Sequence, residues 1–342
     1  MPYRRIVVGT DGSPTANVAV GASIRLARRC RAELLVVSAT QGYGLTERAL
    51  RDAWLEVAAR TEKAKVQARF DLVDRAPGPA LLETAEGSDA DLIVLGNRGM
   101  GAATRVRLGS IPDVVAYAAP CDLLIVDTTR AEVGATSPPF RRLVAGTDGS
   151  PTASDAVRRA FDIAAIYGAD VRLVFVGDPL VGAIRLEEAA AGAPEDVEVE
   201  RVLEVGEPAE RICDVADRDG ADLVVVGNKG MSGLRRMLGS VPNAVAHIVP
   251  TNVLVVKTVD RTASDLTPGT GGVVDVDGRR LAVYVDADGT RTVLNPRCTH
   301  MGCTVGWNGT ERTWDCPCHG SRYGVDGAVV HGPATKPLDP AS

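Results

Sequence analysis

The chain has 342 residues, enough for two to three domains, and its 45% hydrophobic residues are ordinary for a globular protein. Its 38 basic and 44 acidic residues are interspersed and sum to a net charge of −6, which excludes a basic surface for nucleic acid or anionic membrane. No apolar run is long enough to span a membrane and no signal segment opens the sequence, so we expect a cytoplasmic protein.

The first two-thirds of the chain is a tandem duplication. Two motifs occur once in each copy: RRIVVGTDGSPT (4–15) and RRLVAGTDGSPT (141–152), then GNRGM (96–100) and GNKGM (227–231). Asp148 follows Asp11 by 137 residues, whereas Ser240 follows Ser110 by only 130. The second copy is therefore shorter inside.

Strand and helix signals alternate through the first copy. Short apolar runs predict five buried strands, at 6–8, 34–37, 66–73, 92–95 and 123–126. Ser13 is a good N-cap and Pro14 suits the first helical turn. Further helices are predicted from 45 to about 64, from Pro79 and from Ser110. Apolar strands separated by helices imply a parallel sheet that is covered on both faces.

The second copy repeats this order. Its strands are predicted near Leu143, Leu173, Val197, Leu223 and Val253. Its second helix, within 182–192, is curtailed. We expect the two copies to pack as an intramolecular pseudo-dimer that pairs its last strands, 123–126 and 253–256.

The pattern changes after the second copy. Residues 259–272 are rich in Thr, Ser, Asp, Pro and Gly, which predicts a linker. Short strands are then predicted at 273–276, 281–285 and 292–294, with Asp-Gly turns at 277–278 and 288–289. Asp-Gly between alternating runs is typical of β-hairpins, so residues 273–342 are expected to form a small all-β domain.

Two short blocks in this last region concentrate metal-binding side chains. They read CTHMGC at 298–303 and CPCHGS at 316–321, and they hold four of the seven cysteines and two of the four histidines. Thiolates beside imidazoles indicate a metal centre. Four of the six side chains would satisfy a structural zinc ion, which is one alternative.

Residues 1–258 resemble universal stress proteins, on the strength of the repeated motifs. The resemblance implies two doubly wound α/β domains, 1–135 and 139–258, of the adenine-nucleotide α-hydrolase-like kind. The family's nucleotide motif, Gly-x2-Gly-x9-Gly-Ser/Thr, is matched in the first copy by Gly96, Gly99, Gly109 and Ser110. The second copy offers Gly227, Gly230, Gly239 and Ser240, but its last spacing is eight residues.

Two physical arguments support a phosphate site beside that resemblance. Glycine permits close backbone approach, and a helix that begins at Ser110 or Ser240 presents N–H groups to an anion. Asp11 and Asp148 follow the first strand of each copy, where such folds bind ligands, and the resemblance places them near the ribose or adenine. The alternative is that these glycines serve turns alone.

Residues from about 270 onward resemble Rieske [2Fe-2S] domains. The resemblance makes Cys298 and Cys316 the thiolate ligands of one iron, and His300 and His319 the imidazole ligands of the other. The resemblance to the high-potential branch of the family implies a disulfide between Cys303 and Cys318 and hydrogen-bond donors to the cluster at Ser321 and Tyr323. Residues 331–334 match the family's proline-containing loop, which covers the cluster.

Taken together, these resemblances predict a soluble one-electron carrier fused to a tandem nucleotide-binding stress module. Its cofactors would be a [2Fe-2S] cluster and ATP or another adenine nucleotide, and its partner an unidentified redox protein. Two alternatives stay open: a redox-sensing stress regulator, and an electron-transfer subunit of another oxidoreductase. No catalytic constellation of its own is evident, and further homo-oligomerisation is left open.

Overall fold

The computed structural model describes residues 1–41, 46–97, 108–129, 140–228, 240–257, 266–276, 279–300, 302–309, 311–316 and 320–341. The described residues form two compact units, one that ends at Lys257 and one that runs from Leu266 onward. Several predicted features lie outside the described residues: the turn at 277–278, Gly99, Gly230, Gly239, Cys318 and His319.

The first copy follows the predicted alternation closely. Its elements are β1 (Arg5–Gly9), α1 (Pro14–Cys30), β2 (Glu33–Ala39), α2 (Glu47–Ala64), β3 (Ala68–Val73), α3 (Pro77–Gly87), β4 (Leu92–Gly96), α4 (Ser110–Ala118) and β5 (Asp122–Val126). The hydroxyl of Ser13 accepts a hydrogen bond from the Ala16 N–H at 3.2 Å, so Ser13 is the N-cap of α1 as predicted.

Two predicted starts in the first copy were wrong. Helix α3 begins at Pro77 rather than Pro79, because Pro77 follows an extended residue and already has the backbone angle of a first helical turn. Strand β3 begins at Ala68 rather than Val66, because the Val66 N–H still bonds to the Thr61 carbonyl at the end of α2.

The second copy repeats the order with one short helix. Its elements are β6 (Arg142–Gly146), α5 (Pro151–Tyr167), β7 (Asp170–Val176), α6 (Pro179–Ala190), β8 (Val199–Glu204), α7 (Pro208–Arg218), β9 (Leu223–Gly227), α8 (Ser240–Ile248) and β10 (Asn252–Val256). Helix α6 has 12 residues against 18 in α2. The prediction of a curtailed helix is confirmed, although α6 starts earlier than 182, at an N-cap formed by Asp178.

All ten strands of the two copies lie in one sheet. Their order is β3-β2-β1-β4-β5-β10-β9-β6-β7-β8, parallel within each copy and antiparallel where β5 meets β10. Leu124 lies opposite Leu254 at the centre of that antiparallel pair. The doubly wound fold and the pairing of the last strands are both confirmed.

Helices cover both faces of this sheet. In β1, Ile6 and Val8 belong to the apolar core under α1 and α5, and Val7 belongs to the core under α3, α4, α7 and α8. Alternate residues of a strand point to opposite faces, so an uninterrupted apolar run is what a sheet between two helical layers requires.

The second unit is all-β among its described residues. It contains a three-stranded sheet and a four-stranded sheet, formed by β11 (Gly271–Val276), β12 (Arg279–Val285) and β13 (Arg291–Leu294), and by β14 (Gly306–Asn308), β15 (Thr313–Asp315), β16 (Arg322–Tyr323) and β17 (Val329–His331). The turn at 288–289 is confirmed, with Gly289 at a φ of +87°.

The predicted linker extended too far. Gly271 and Gly272 belong to β11, opposite Tyr284 and Val283 of β12. A Cβ on Gly271 would lie 2.7 Å from the ring of Trp307, so glycine is needed there for close packing rather than for flexibility. Within the described ranges, no helix combines the length and apolarity that crossing a membrane requires.

Candidate metal centre and nucleotide cleft

The described ends of two loops in the C-terminal unit share one hydrogen-bond pattern. Each opens with a cysteine and reaches a glycine four residues later. Four hydrogen bonds define them: Cys298 N–H to Cys303 O (2.8 Å), Gly302 N–H to Cys298 O (2.8 Å), Cys316 N–H to Ser321 O (2.7 Å) and Gly320 N–H to Cys316 O (3.2 Å). The φ angles of Gly302 and Gly320 are +74° and +75°, a region that favours glycine. The described ends of the two sequence blocks therefore fold alike.

The first cysteines of the two loops meet. Cys298 and Cys316 are buried and their side chains are hydrogen-bonded to each other. Burial disfavours the Cys298 thiolate, but hydrogen bonds from Tyr323, from the His300 backbone and from Cys316 outweigh it and hold the pKa of Cys298 below its ordinary value. The surroundings of Cys298 thus favour its thiolate form, with the Cys316 side chain as a hydrogen-bond partner.

Tyr323 is fixed against Cys298 by a small hydrogen-bond network. Its hydroxyl lies 3.0 Å from the Cys298 Sγ and accepts from the Thr299 N–H at 3.1 Å. The Thr299 hydroxyl donates to the Lys336 carbonyl at 2.7 Å. Burial, followed by the contact with Cys298, raises the pKa of Tyr323. Sequence reasoning identified Tyr323 but missed Thr299, although it stands between two predicted ligands.

Ser321, the last residue of the second ligand loop, packs against the predicted covering loop at 331–334. Ser321 is fully buried, and its hydroxyl oxygen accepts from the Ala334 N–H at 3.2 Å. That leaves the hydroxyl proton available to Cys298, with which Ser321 is also hydrogen-bonded. A Cβ on Gly332 would lie 2.5 Å from the Cα of Ser321, and its φ is +103°, so only glycine permits this approach.

The donor set fits an iron–sulfur cluster. The thiols of Cys298 and Cys316 are buried together, and His300, which lies in the same loop as Cys298, is exposed. Soft thiolate and imidazole ligands suit iron–sulfur chemistry. Cys303 is half-buried. Its disulfide with Cys318 and the ligand role of His319 stay predictions, since both partners lie outside the described residues.

A second candidate site is a cleft at the carboxyl edge of the first copy. It opens to solvent, and the cleft together with its open mouth has about 640 Å³ of empty space. Its walls come from the ends of β1, β2 and β4 and the starts of α1, α3 and α4, and they include Gly9, Thr10, Asp11, Ser13, Val37, Ala39, Pro77, Leu81, Gly96, Ile111 and Pro112. Asp11 and Gly96 were predicted there, whereas Thr10, Ile111 and Pro112 were not.

Asn97 connects the two ends of the segment that contains the glycine motif. Its carbonyl accepts from the Gly109 N–H at 2.8 Å, and its side-chain oxygen accepts from the hydroxyl of Thr128 at 2.7 Å. Gly109 then caps α4 without any side-chain hydrogen bond, and Ser110 starts the helix as predicted. The first N–H groups of α4 are therefore not taken by a capping side chain, as an anion site requires.

The second copy differs at the corresponding place. Asp11 and Asp148 take the same local conformation, each accepting a backbone N–H two residues on at 2.9 Å. Beside Asp148, however, the side chain of Arg185 on α6 lies against Gly149, where a Cβ would meet it at 2.5 Å. Gly227 ends β9 and Ser240 begins α8.

Comparison with known proteins agrees with this architecture. The model of the Universal stress protein family matches residues 2–127, 139–191 and 180–257, and that of the Rieske [2Fe-2S] domain matches residues 256–341. A universal stress protein from Archaeoglobus fulgidus, known from its crystal structure, covers 74% of this chain and 98% of its own, with a TM-score of 0.58 at 20% identity. That likeness concerns the fold.

Two relatives match the C-terminal unit. The Rieske 2Fe-2S iron-sulfur protein YhfW of Bacillus subtilis is 40% identical over 106 residues, which are 31% of this chain and 20% of that protein. The cytochrome b6-f complex iron-sulfur subunit 1 of Synechocystis is 45% identical over 74 residues, 21% of this chain and 42% of that subunit. The chain thus spans less than half the length of either relative. Because the stress-protein model covers more than half of the sequence, the chain belongs to the universal stress protein family, and a Rieske [2Fe-2S] domain follows its two stress-protein copies.

Proposed function

We propose that this protein is a one-electron carrier whose [2Fe-2S] cluster is held by Cys298 and Cys316 on one iron and by His300 and His319 on the other. A cluster with such mixed ligation supplies electron transfer at a higher potential than an all-cysteine cluster. The observation that carries the proposal is the pair of like-folded loops that bring the two thiols into contact. The likeness to a cytochrome b6-f iron-sulfur subunit supports it.

The hydrogen bonds around the Tyr323 hydroxyl indicate where its proton points. The Thr299 hydroxyl donates to the Lys336 carbonyl, because a carbonyl only accepts. The Thr299 N–H donates to the Tyr323 oxygen. The Tyr323 proton then has two acceptors within reach, the Cys298 sulfur at 3.0 Å and the Thr299 hydroxyl oxygen at 3.2 Å, of which the sulfur is the nearer. Donors to ligand sulfurs stabilise the electron-rich, reduced state, so Tyr323 and Ser321 raise the reduction potential.

His300 gives the centre its contact with the outside. It is exposed, whereas the thiols at 298 and 316 are buried. An electron exchanged with a redox partner protein would therefore pass through the imidazole side, with the sulfur side shielded by the unit's own core. The proposed disulfide between Cys303 and Cys318 would hold the two ligand loops together.

We also propose that the first-copy cleft binds ATP or another adenine nucleotide. The Asp11 carboxylate lines one wall, and Gly96 and the start of α4 form another. With Gly99, Gly109 and Ser110 they supply close backbone approach and helix N–H groups for phosphate. Gly227, Gly230, Gly239 and Ser240 form the corresponding site of the second copy with Asp148. Arg185 beside that site leads us to expect weaker binding there.

Electron paramagnetic resonance of the dithionite-reduced full chain tests the first proposal. We expect a rhombic signal with a low average g value, which reports mixed cysteine and histidine ligation. A colourless protein that carries one zinc ion after anaerobic reconstitution would refute it. Calorimetric titration with ATP, for the wild type and for Asp11→Ala, tests the second proposal. Equal ATP affinity in both proteins would show that Asp11 does not contribute to ATP binding.

A further inference from the structure

The ten-stranded sheet is continuous across the antiparallel pair β5–β10, which we call the seam. Leu124 and Leu254 face each other at its centre, and the repeat offset makes them equivalent residues of the two copies. The seam therefore has an approximate two-fold axis through this pair. Each of its two ends contains one side chain that accepts a backbone N–H from the other copy.

At one end that acceptor is Asp122, and the end is charged. Asp122 is 1% exposed, and its carboxylate accepts from the Lys257 N–H at 2.9 Å and from the Tyr3 hydroxyl at 3.0 Å. The Arg159 guanidinium lies 3.0 Å from the same carboxylate and stacks over the Tyr3 ring at 4.7 Å. The Lys257 ammonium is buried and donates to the Ala116 carbonyl at 2.9 Å. The acid comes from the first copy and both cations come from the second.

At the other end every charged partner is replaced. Asn252 is the equivalent of Asp122 and accepts from the Asp127 N–H at 3.0 Å. The remaining equivalences follow from the repeat: Phe140 stands for Tyr3, Ala22 for Arg159 and Asp127 for Lys257. Among the described residues of this end no cation stands at an equivalent position, because Ala22 replaces Arg159 and the acidic Asp127 replaces Lys257.

We propose that the charged end restricts the seam to pairing between a first copy and a second copy, and that it excludes pairing between two first copies. Two first copies would bury both Asp122 carboxylates against Ala22 and the Asp127 of the other chain, with no cation. Removing one partner from a buried ion pair weakens an association by about a hundredfold or more. This property of the duplicated unit is independent of the proposed electron and nucleotide functions.

The same geometry identifies a substitution that should release the restriction. With Asp122→Asn, two first copies would reproduce the Asn252 end twice, because asparagine would accept the Asp127 N–H of the other chain as Asn252 does now. The first copy would then be self-complementary. Weakening the seam at Asn252 should not have this effect, because the Asp122 carboxylate would remain.

Disulfide trapping in the full chain distinguishes these outcomes. Leu124→Cys places a thiol on the two-fold axis, so pairing of two first copies would cross-link residue 124 to residue 124 of another chain. The chains are refolded from urea at increasing concentration, oxidised, and mapped by mass spectrometry of the cross-linked peptides. Leu124→Cys/Leu254→Cys, which should form the link within one chain, calibrates the reaction.

We expect no 124–124 link in Leu124→Cys, and at least about tenfold more of it in Leu124→Cys/Asp122→Asn. The control Leu124→Cys/Asn252→Ala weakens the seam without removing the carboxylate, and it should remain without this link. If the link forms in Leu124→Cys alone, or equally in the control, the charge does not select the partner. If it forms in none of the variants, the covalent connection alone accounts for the pairing, and the proposal fails.

Discussion

The stress-protein unit and the C-terminal unit use their buried side chains differently. In the first unit, residues such as Leu92 belong to two apolar layers around a sheet, and the cleft with Asp11 lies at the edge of those layers. In the second unit, the core around Trp314 includes Cys298 and Cys316, the side chains that we propose as iron ligands. One set of side chains thus serves both folding and function in the C-terminal unit.

This difference predicts how the two units respond to change. A cleft at the edge of a core can lose a binding residue and keep its fold. A small unit whose core contains its metal ligands should lose stability and function together, because metal binding free energy is then folding free energy. Substitutions in each unit test that contrast.

Cys316→Ser should abolish the cluster. In the proposed ligation Cys316 is the second cysteine ligand of one iron, so we expect essentially all bound iron and the paramagnetic signal to disappear. The C-terminal unit should melt at a lower temperature while the transition of the first unit stays in place. Iron analysis and scanning calorimetry measure both. Cys213→Ser, a buried cysteine of the first unit, is the control and should retain its iron; an unchanged C-terminal transition in Cys316→Ser would break the contrast.

Leu92→Ala should do the reverse. Leu92 is fully buried in β4, and truncating such a residue costs about 2–5 kcal/mol. Urea unfolding should show that loss in the first unit, while the reduction potential of the cluster stays unchanged. Leu55→Ala, at a side chain 70% exposed, should cost less than about 0.5 kcal/mol. A potential that follows the stability of the first unit would mean that the units are coupled.

The regular parts of both units could be predicted from the sequence because their signals are local. Apolar runs and the helix start at Ser13-Pro14 are recognised from neighbouring residues, and the second copy repeats these signals. The wrong starts of α3 and β3 have local causes, whereas the error in the linker arose where distant contacts decide. Gly271 pairs with Tyr284 of β12 and lies close to the Trp307 ring, and no residue near Gly271 in the sequence indicates either contact.

The sites show the same division. Cys298, Ser321 and Tyr323 could be identified because they stand in a recognisable pattern, and the structure brings them together. The charged end of the seam could not be predicted. Asp122 and Arg159 belong to different copies and are ordinary residues in their own segments, so only the paired sheet brings them within 3.0 Å.

The pH dependence of stability should differ between the units because of Asp122. Burial raises the pKa of this carboxyl to about 6, against the opposing effects of Arg159, Lys257 and Tyr3 and with a small contribution from Asp91. The unfolded chain has the ordinary value of about 3.9. Between pH 7 and pH 5 the folded state therefore gains a proton that the unfolded state does not, and the contribution is lost again as pH rises through 6.

We accordingly expect this carboxyl to stabilise the first unit by about 1 kcal/mol more at pH 5 than at pH 7. Urea unfolding of the wild type and of Asp122→Asn at both pH values measures it. The variant should lack that increment, and the C-terminal transition should show no difference between the two proteins. Identical pH slopes in both proteins would assign the titration to other groups.

Tyr323→Phe separates tuning from folding within the C-terminal unit. Removing the hydroxyl deletes the hydrogen bond to the Cys298 sulfur. A hydrogen bond worth about 0.5–1.5 kcal/mol corresponds to a potential lowered by about 20–60 mV for one electron. Protein-film voltammetry checks the shift, and the iron content should be unchanged. Tyr284→Phe, at a tyrosine of β12 in the same unit, is the matched control; an equal shift there would detach the effect from the cluster.

Thr299→Val should change stability without changing the potential. The substitution removes the donor to the Lys336 carbonyl, which costs the C-terminal unit about 0.5–1.5 kcal/mol. The Thr299 N–H still donates to the Tyr323 oxygen. The Thr299 hydroxyl oxygen, which lies 3.2 Å from the Tyr323 hydroxyl, is removed by the substitution. The Tyr323 proton therefore stays with Cys298, and the potential should remain within about 10 mV of the wild type. Thr299→Ser, which keeps the hydroxyl, should preserve both quantities. A fall in potential as large as that of Tyr323→Phe would instead show that the Thr299 hydroxyl holds the tyrosine in place. Packing and redox tuning in this unit could then not be separated, even one residue away from a ligand.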